Sequence, residues 1–227
     1  QKAGKPLVVV LMNGRPLCLE KVDKQANALL EAWFPGTQCG NAVADILFGD
    51  AVPSAKLTAS FPLTEGQIPN NYNYKRSGRP GDMPHSSTVR HIDVPNRNLY
   101  PFGYGLSYTT FSYGEMQCPK QFNADGTLQV SVDVTNTGGC DGEEIVQLYV
   151  ADKVASMVRP VKELKGFQKV FIPKGQTKRI DFTLNVRDLG FWNNSMQYIV
   201  EPGSFEIMVG PNSEDLQKKD AFWNGEK

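Results

Sequence analysis

The sequence predicts two architectures in series, an α/β segment and then an all-β sandwich. Three observations carry this. Residues 1–61 contain short, continuous apolar runs of the kind that parallel strands buried on both faces require. From residue 107 onward, apolar and polar residues alternate with a period of two. Between them, residues 62–106 show no period and are rich in Pro, Gly, Asn and Arg.

The α/β elements follow in order. "LVVVLMNG" (7–14) is an apolar run closed by Asn-Gly, and "EKVDKQANA" (20–28) is a short polar helical stretch. "LLEAWF" (29–34) is a second apolar run, stopped by Pro35 and Gly36. In "GNAVADILFGD" (40–50), Ala42, Val43, Ile46 and Leu47 share one helical face, and Gly49 supplies the C-terminal stop. "KLTASF" (56–61) is expected to add a third strand. A parallel sheet covered by helices on both faces needs more elements than these. Residues 1–106 are therefore expected to be the C-terminal part of an α/β sandwich domain of a longer protein, carrying a long loop at 62–106. Loops of that length belong over a site or an interface.

The second half reads as strands. "LQVSVDVT" (128–135) sets Leu128, Val130, Val132 and Val134 inward, against Gln129, Ser131, Asp133 and Thr135 facing out. "RIDFTLNV" (179–186) repeats the pattern, and 143–150, 167–172, 196–200 and 204–210 add further runs separated by "NTGG", "PKGQ" and "EPG". Six or seven such strands form an antiparallel β-sandwich of immunoglobulin or fibronectin III type. The missing Cys…Trp…Cys core favours the fibronectin III variety, over residues 107–227. "LYPFGYGLSYTTF" (99–111) joins the halves. Its rings are expected to fill a seam between layers, with sugar stacking by Tyr100, Tyr104 or Tyr108 as the alternative.

Composition narrows the function classes. Twenty-four basic residues balance 24 acidic ones, which gives no electrostatic footprint for nucleic acid or an anionic membrane. No apolar run approaches the ~18–20 residues of a membrane span. Cys18, Cys39, Cys118 and Cys140 follow no metal-ligand spacing. Strand order keeps Cys118 and Cys140 apart, whereas Cys18 and Cys39 both follow parallel strands and are candidates for a pair. His85 and His91 have no acidic or thiol cluster beside them, so neither a metal nor another cofactor is expected. No nucleophile elbow or phosphate-binding loop occurs in context.

Three residues are substrate-binding candidates. Glu31 lies near the C-terminal end of an apolar strand, where open α/β sheets place their ligands. A buried carboxylate there must be paired or protonated, as a structural partner or as support for a site. Arg15, just beyond the first strand, suits a carboxylate clamp, a sugar hydroxyl or an inter-domain ion pair. Arg90 lies in the long loop. Asp45, Asp50 and Asp93 have neither the spacing nor the motif of catalytic acids.

The ordered set "VVVLMNGRPL", "LLEAWFPGTQCGNAVADILFGDAVPSAKL", "LYPFGYGLSYTTF" and "RPVKELKGF" resembles the C-terminal region of glycoside hydrolase family 3, especially periplasmic-type bacterial β-glucosidases. The resemblance implies an N-terminal (β/α)8 barrel, an α/β sandwich and a fibronectin III-like domain, of which this chain holds the last part. It implies retaining cleavage of terminal β-D-glucosides by two carboxyl groups ~5–5.5 Å apart. The family's nucleophile is an Asp on the barrel, and its acid/base is usually a Glu upstream in the α/β sandwich. Neither motif is matched, so no catalytic residue is expected in this chain, which alone should be inactive. The implied partners are a β-linked gluco-oligosaccharide or aryl glucoside, the N-terminal barrel and the rest of the α/β domain. The implied location is periplasmic or secreted. Gln38-Cys39 and "VPSAKLT" (52–58) depart from the family pattern. The rival expectations are a non-catalytic carbohydrate-binding or scaffolding module, and an independent hydrolase using Glu31 with an Asp.

Overall fold

A computed structural model describes residues 4–76, 78–79 and 88–225. Strands β1 (Val8–Leu11) and β2 (Ala28–Glu31) pair in parallel, with Val8 opposite Ala28 and Leu11 opposite Glu31. Asn27 fixes the register by accepting the Leu7 N–H on its side-chain oxygen at 2.8 Å. Helix α1 (Glu20–Asp23) connects them, and α2 (Cys39–Phe48) follows β2. Gly49 ends α2 at φ 87°, the left-handed stop expected from sequence.

The third strand expected at 56–61 does not join this sheet, which has two strands among the described residues. Residues 57–61 instead run antiparallel to 99–104. Leu57 donates to the Tyr104 carbonyl and Gly103 to the Leu57 carbonyl, both at 2.8 Å, and Phe61 pairs with Tyr100. Apolar content marked the segment as extended, but alternation cannot say which neighbour it pairs with.

The all-β half contains β3 (Phe111–Tyr113), β4 (Thr127–Asn136), β5 (Gly142–Asp152), β6 (Glu163–Ile172) and β7 (Thr177–Asn185). It continues through β8 (Phe191–Trp192), β9 (Tyr198–Ile199), β10 (Gly203–Gly210) and β11 (Gln217–Trp223). One sheet has the order β11-β10-β5-β6 and the other β3-β4-β7. Val130, Val132, Val146, Leu148, Ile180, Ile207 and their neighbours fill the space between them. Each such side chain contributes ~1.5–3 kcal/mol on burial.

Two expectations change here. The run 196–200 is not a sandwich strand; its centre forms β9, which closes a small hairpin with β8. Ser131, expected to face solvent, is 6% exposed. The segment at Gln117 bridges to it, and Arg179 donates to its hydroxyl at 2.7 Å. The inward alternation of β4 stands, but its outer face is partly roofed.

The run 99–111 forms the seam between the halves. Phe102 stacks on Tyr72 with ring centroids 4.3 Å apart, and Tyr72 meets Tyr149 of β5 edge-on. Tyr100 stacks on Tyr104 and donates to Asp23, and Tyr108 donates to the Ile46 carbonyl of α2 at 2.6 Å. Gly103, at φ 80°, lies against the buried Gln147 side chain. Gln147 donates to the carbonyls of Gly103 and Pro211 and accepts the Tyr149 hydroxyl. A buried ion pair reinforces the seam: Lys56 meets Glu144 at 3.0 Å, and Tyr113 donates to Glu144 at 2.9 Å.

Candidate functional site

Parallel strands aim the C-terminal ends of β1 and β2 the same way, which brings the loops 12–16 and 32–37 together. Gly14 lies against the exposed Phe34 ring, which a Cβ there would meet at 2.7 Å. Glu31, the last residue of β2, is half-buried. Its Oε1 accepts the Trp33 N–H at 2.9 Å. That contact holds Trp33 at φ 49°, a left-handed backbone uncommon for a bulky residue. The Trp33 ring then packs on Phe61, centroids 5.9 Å apart.

The polar accounting at this end of the sheet is incomplete. Glu31 Oε2, Asn13 Oδ1, Ser60 Oγ and Asn70 Nδ2 are closed to solvent and lack a hydrogen-bond partner among the described residues. Buried polar atoms are normally satisfied; Thr88 Oγ1, Ser107 Oγ and Arg159 Nε, elsewhere in the chain, lack a partner among the described residues in the same way. Beside them runs a groove of about 510 Å³, lined in part by Arg15, Ser60, Asn70, Tyr72 and Phe102. Arg15 is exposed and is the one charged residue of that lining among the described residues. The nearby Cys18 thiol is pushed up by desolvation and by Glu65, against the pull of Arg15.

Arg15, in the loop after β1, and Glu31, at the end of β2, thus lie toward the same end of the sheet. Arg90 is exposed in the stretch 88–99 and does not line the groove. Asp45, Asp50, Asp93 and His91 are all exposed, and His85 lies outside the described residues. The four cysteines are free thiols. Tyr100 and Tyr104 are raised in pKa by burial first and by Asp23 second, as seam residues rather than free platforms. Sequence reasoning missed Trp33, Ser60 and Asn70. The signal for Trp33 was faint: a backbone turn straight after a strand-end carboxylate.

Comparisons with known proteins agree along the chain. Residues 1–108 match the Glycosyl hydrolase family 3 C-terminal domain, and residues 144–213 match the Fibronectin type III-like domain. A Periplasmic beta-glucosidase of Salmonella typhimurium is 50% identical over 213 residues, 92% of this chain and 28% of that protein. A Beta-xylosidase of Formosa agariphila is 44% identical over 93% of this chain and 29% of its own length. The crystal structure of a Listeria innocua beta-glucosidase in complex with glucose superposes with a TM-score of 0.93 at 41% identity, covering 99% of this chain and 32% of that one. The chain thus spans about a third or less of the length of these relatives. In matched domains, in identity over most of its length and in backbone, this chain carries a Glycosyl hydrolase family 3 C-terminal domain followed by a Fibronectin type III-like domain.

Proposed function

We propose that the chain serves as the C-terminal portion of a retaining β-glucosidase of the periplasm or the extracellular space, and that it positions catalytic carboxylates held elsewhere. The observation that carries this is the 50% identity to a periplasmic beta-glucosidase, spread over 92% of the chain. Geometry supports it. Retaining cleavage needs a nucleophile and an acid/base on opposite sides of one sugar ring. Glu31 already spends one oxygen on its own loop, which suits a brace better than a nucleophile. Apolar side chains also stand uncovered beside the two-stranded sheet: Met12 is 60%, Phe34 80% and Phe48 84% exposed. Their burial against the rest of an α/β sandwich domain accounts for them. In this view residues 1–106 complete that domain, and residues 107–227 form the fibronectin III-like domain behind it.

A non-catalytic carbohydrate-binding module has one observation in its favour, the half-exposed Trp192 and Tyr198 of the β8–β9 hairpin. Their rings stand at 65° to each other, so they offer no flat shared platform. The proposal is tested with a protein in which this chain follows a barrel and the start of an α/β sandwich. It should hydrolyse an aryl β-glucoside with retention, and faster than the β-xyloside. Inversion, or preference for the xyloside, contradicts it.

A further inference from the structure

We propose that Asn224 is a site of spontaneous covalent modification, where its carboxamide closes on the Gly225 nitrogen and reopens as aspartate or isoaspartate. The inference is independent of the glycosidase reading. Among the described residues, Asn13, Asn194, Asn212 and Asn224 precede glycine or serine. Such small residues let the following backbone nitrogen approach the Asn carboxamide. The fold restrains the first three. Asn13 is half-buried, its Nδ2 donates to the Arg15 carbonyl at 2.7 Å, and its Oδ1 is closed to solvent. Beyond Asn194, the Ser195 N–H is spent on Asn193 Oδ1 at 2.9 Å. Asn212 is held on both sides: its Oδ1 accepts the Glu214 and Asp215 N–H groups, and the Ser213 N–H donates to the Phe102 carbonyl.

Asn224 differs in each respect. It follows the last residue of β11 and is exposed. Neither its side chain nor the Gly225 N–H has a hydrogen-bond partner among the described residues. Gly225 takes φ 87°, and a Cβ there would stand 2.9 Å from Pro202 Cγ, so the fold itself demands the glycine that permits the reaction. The chemistry balances with water as the co-reactant. The Gly225 nitrogen attacks Asn224 Cγ and gives up its proton. The Cγ–Nδ2 bond then breaks and ammonia leaves, which closes a cyclic imide. Water adds to either imide carbonyl, and ring opening gives Asp or isoAsp. The chain gains one carboxylate and moves from balance, 24 basic against 24 acidic residues, to a net negative charge. Position keeps the event local. Asn224 lies past the Gly203–Trp223 end of the β10–β11 pair, whereas the seam contact at Pro211 lies past its other end, roughly 20 Å away at ~3.3 Å per residue.

The test is incubation of the 227-residue chain at mildly alkaline pH, folded and in guanidinium chloride, followed by peptide mapping with isoaspartate detection. In the folded chain, Asn224 should convert roughly ten times faster than Asn13, about the factor that one retained hydrogen bond supplies. Asn194 and Asn212 should lag further. Unfolding removes the protection of Asn13, so the two Asn-Gly pairs should then convert at similar rates. Asn224→Gln, at an exposed position, should remove the main acidic variant on ion exchange and leave the melting temperature in place. Asn224→Asp should elute with the aspartate product and melt like the unmodified chain. Conversion of Asn13 as fast as Asn224 in the folded chain overturns the proposal, as does first conversion at Asn194 or Asn212. So does an acidic variant that survives Asn224→Gln. Conversion of Asn224 that is far slower folded than unfolded would show that the fold protects it, and would equally sink the assignment.

Discussion

Gly103→Ala attacks the seam at its tightest point. Gly103 has φ 80°, so an L-residue there adopts the left-handed backbone at a cost of roughly 1–2 kcal/mol. Its Cβ would also stand 2.8 Å from both Cδ and Nε2 of Gln147, and closer still to Oε1. Gln147 is buried at 3% exposure and held by three hydrogen bonds, so it has no open space to move into. Displacing it leaves the carbonyls of Gly103 and Pro211 and the Tyr149 hydroxyl short of partners. Each such loss is worth ~0.5–1.5 kcal/mol, or ~1–3 kcal/mol where a buried group is left unsatisfied. Three such losses at the lower rate plus the backbone cost come to about 2.5–6.5 kcal/mol, a large part of the ~5–15 kcal/mol of a native fold. Gly175→Ala is the control. Gly175 has φ 73° but nothing within 4 Å of the added carbon, so only the backbone cost applies. Urea denaturation of both variants reads the difference. If Gly103→Ala costs no more than Gly175→Ala, the packed seam is wrong.

Other expectations follow from the same structure. Val132→Asp, at 1% exposure opposite Ile180, should unfold the sandwich, whereas Ser131→Asp can pair with Arg179 and should lower the melting temperature only modestly. Equal melting points would refute the register of β4. Lys56→Met should destabilise by about 3–5 kcal/mol, because Glu144 would be left buried and uncompensated. Lys153→Met breaks the exposed pair with Asp220 and should cost ~0–1 kcal/mol by the same denaturation assay. Burial pushes the Asp152 carboxyl up, against the pull of the Val154 N–H. The folded chain then holds that proton more tightly than the unfolded chain, so this contribution to stability falls as pH rises through the folded pKa. Asp152→Asn should therefore raise the melting temperature at pH 7, with the gain vanishing below about pH 4. A loss at pH 7 would show that the charge stabilises.

The legible parts were those written as periods or as an ordered motif set. The alternation of β4 and β7 gave their inward faces, because a period of two leaves few choices once one face is apolar. The joining role of 99–111 followed from its aromatic density and its position between two grammars. Strand β11 was missed because Lys218, Lys219 and Asp220 crowd its first half. Its alternation survives only at Ala221 and Trp223, and charge of that kind is how an edge strand avoids pairing further. Ser131 faces outward by period, but Gln117 returns from distant sequence to cover it. The candidate residues were only partly placed by sequence. Strand ends located Arg15 and Glu31, whereas the orphaned atoms of Ser60 and Asn70 exist only once residues 58–73 fold back beside them.

The central claim is that this chain positions chemistry that other residues perform, and turnover by the 227-residue chain alone tests it most directly. With an aryl β-glucoside, the purified chain should read background, because general acid–base help without a nucleophile gives only ~10²–10⁴-fold. The same residues fused behind a barrel and the start of an α/β sandwich, as in the proposed parent, should turn over fully. Hydrolysis by the isolated chain, lost in Glu31→Gln, would contradict the account and make Glu31 a catalytic group in its own right.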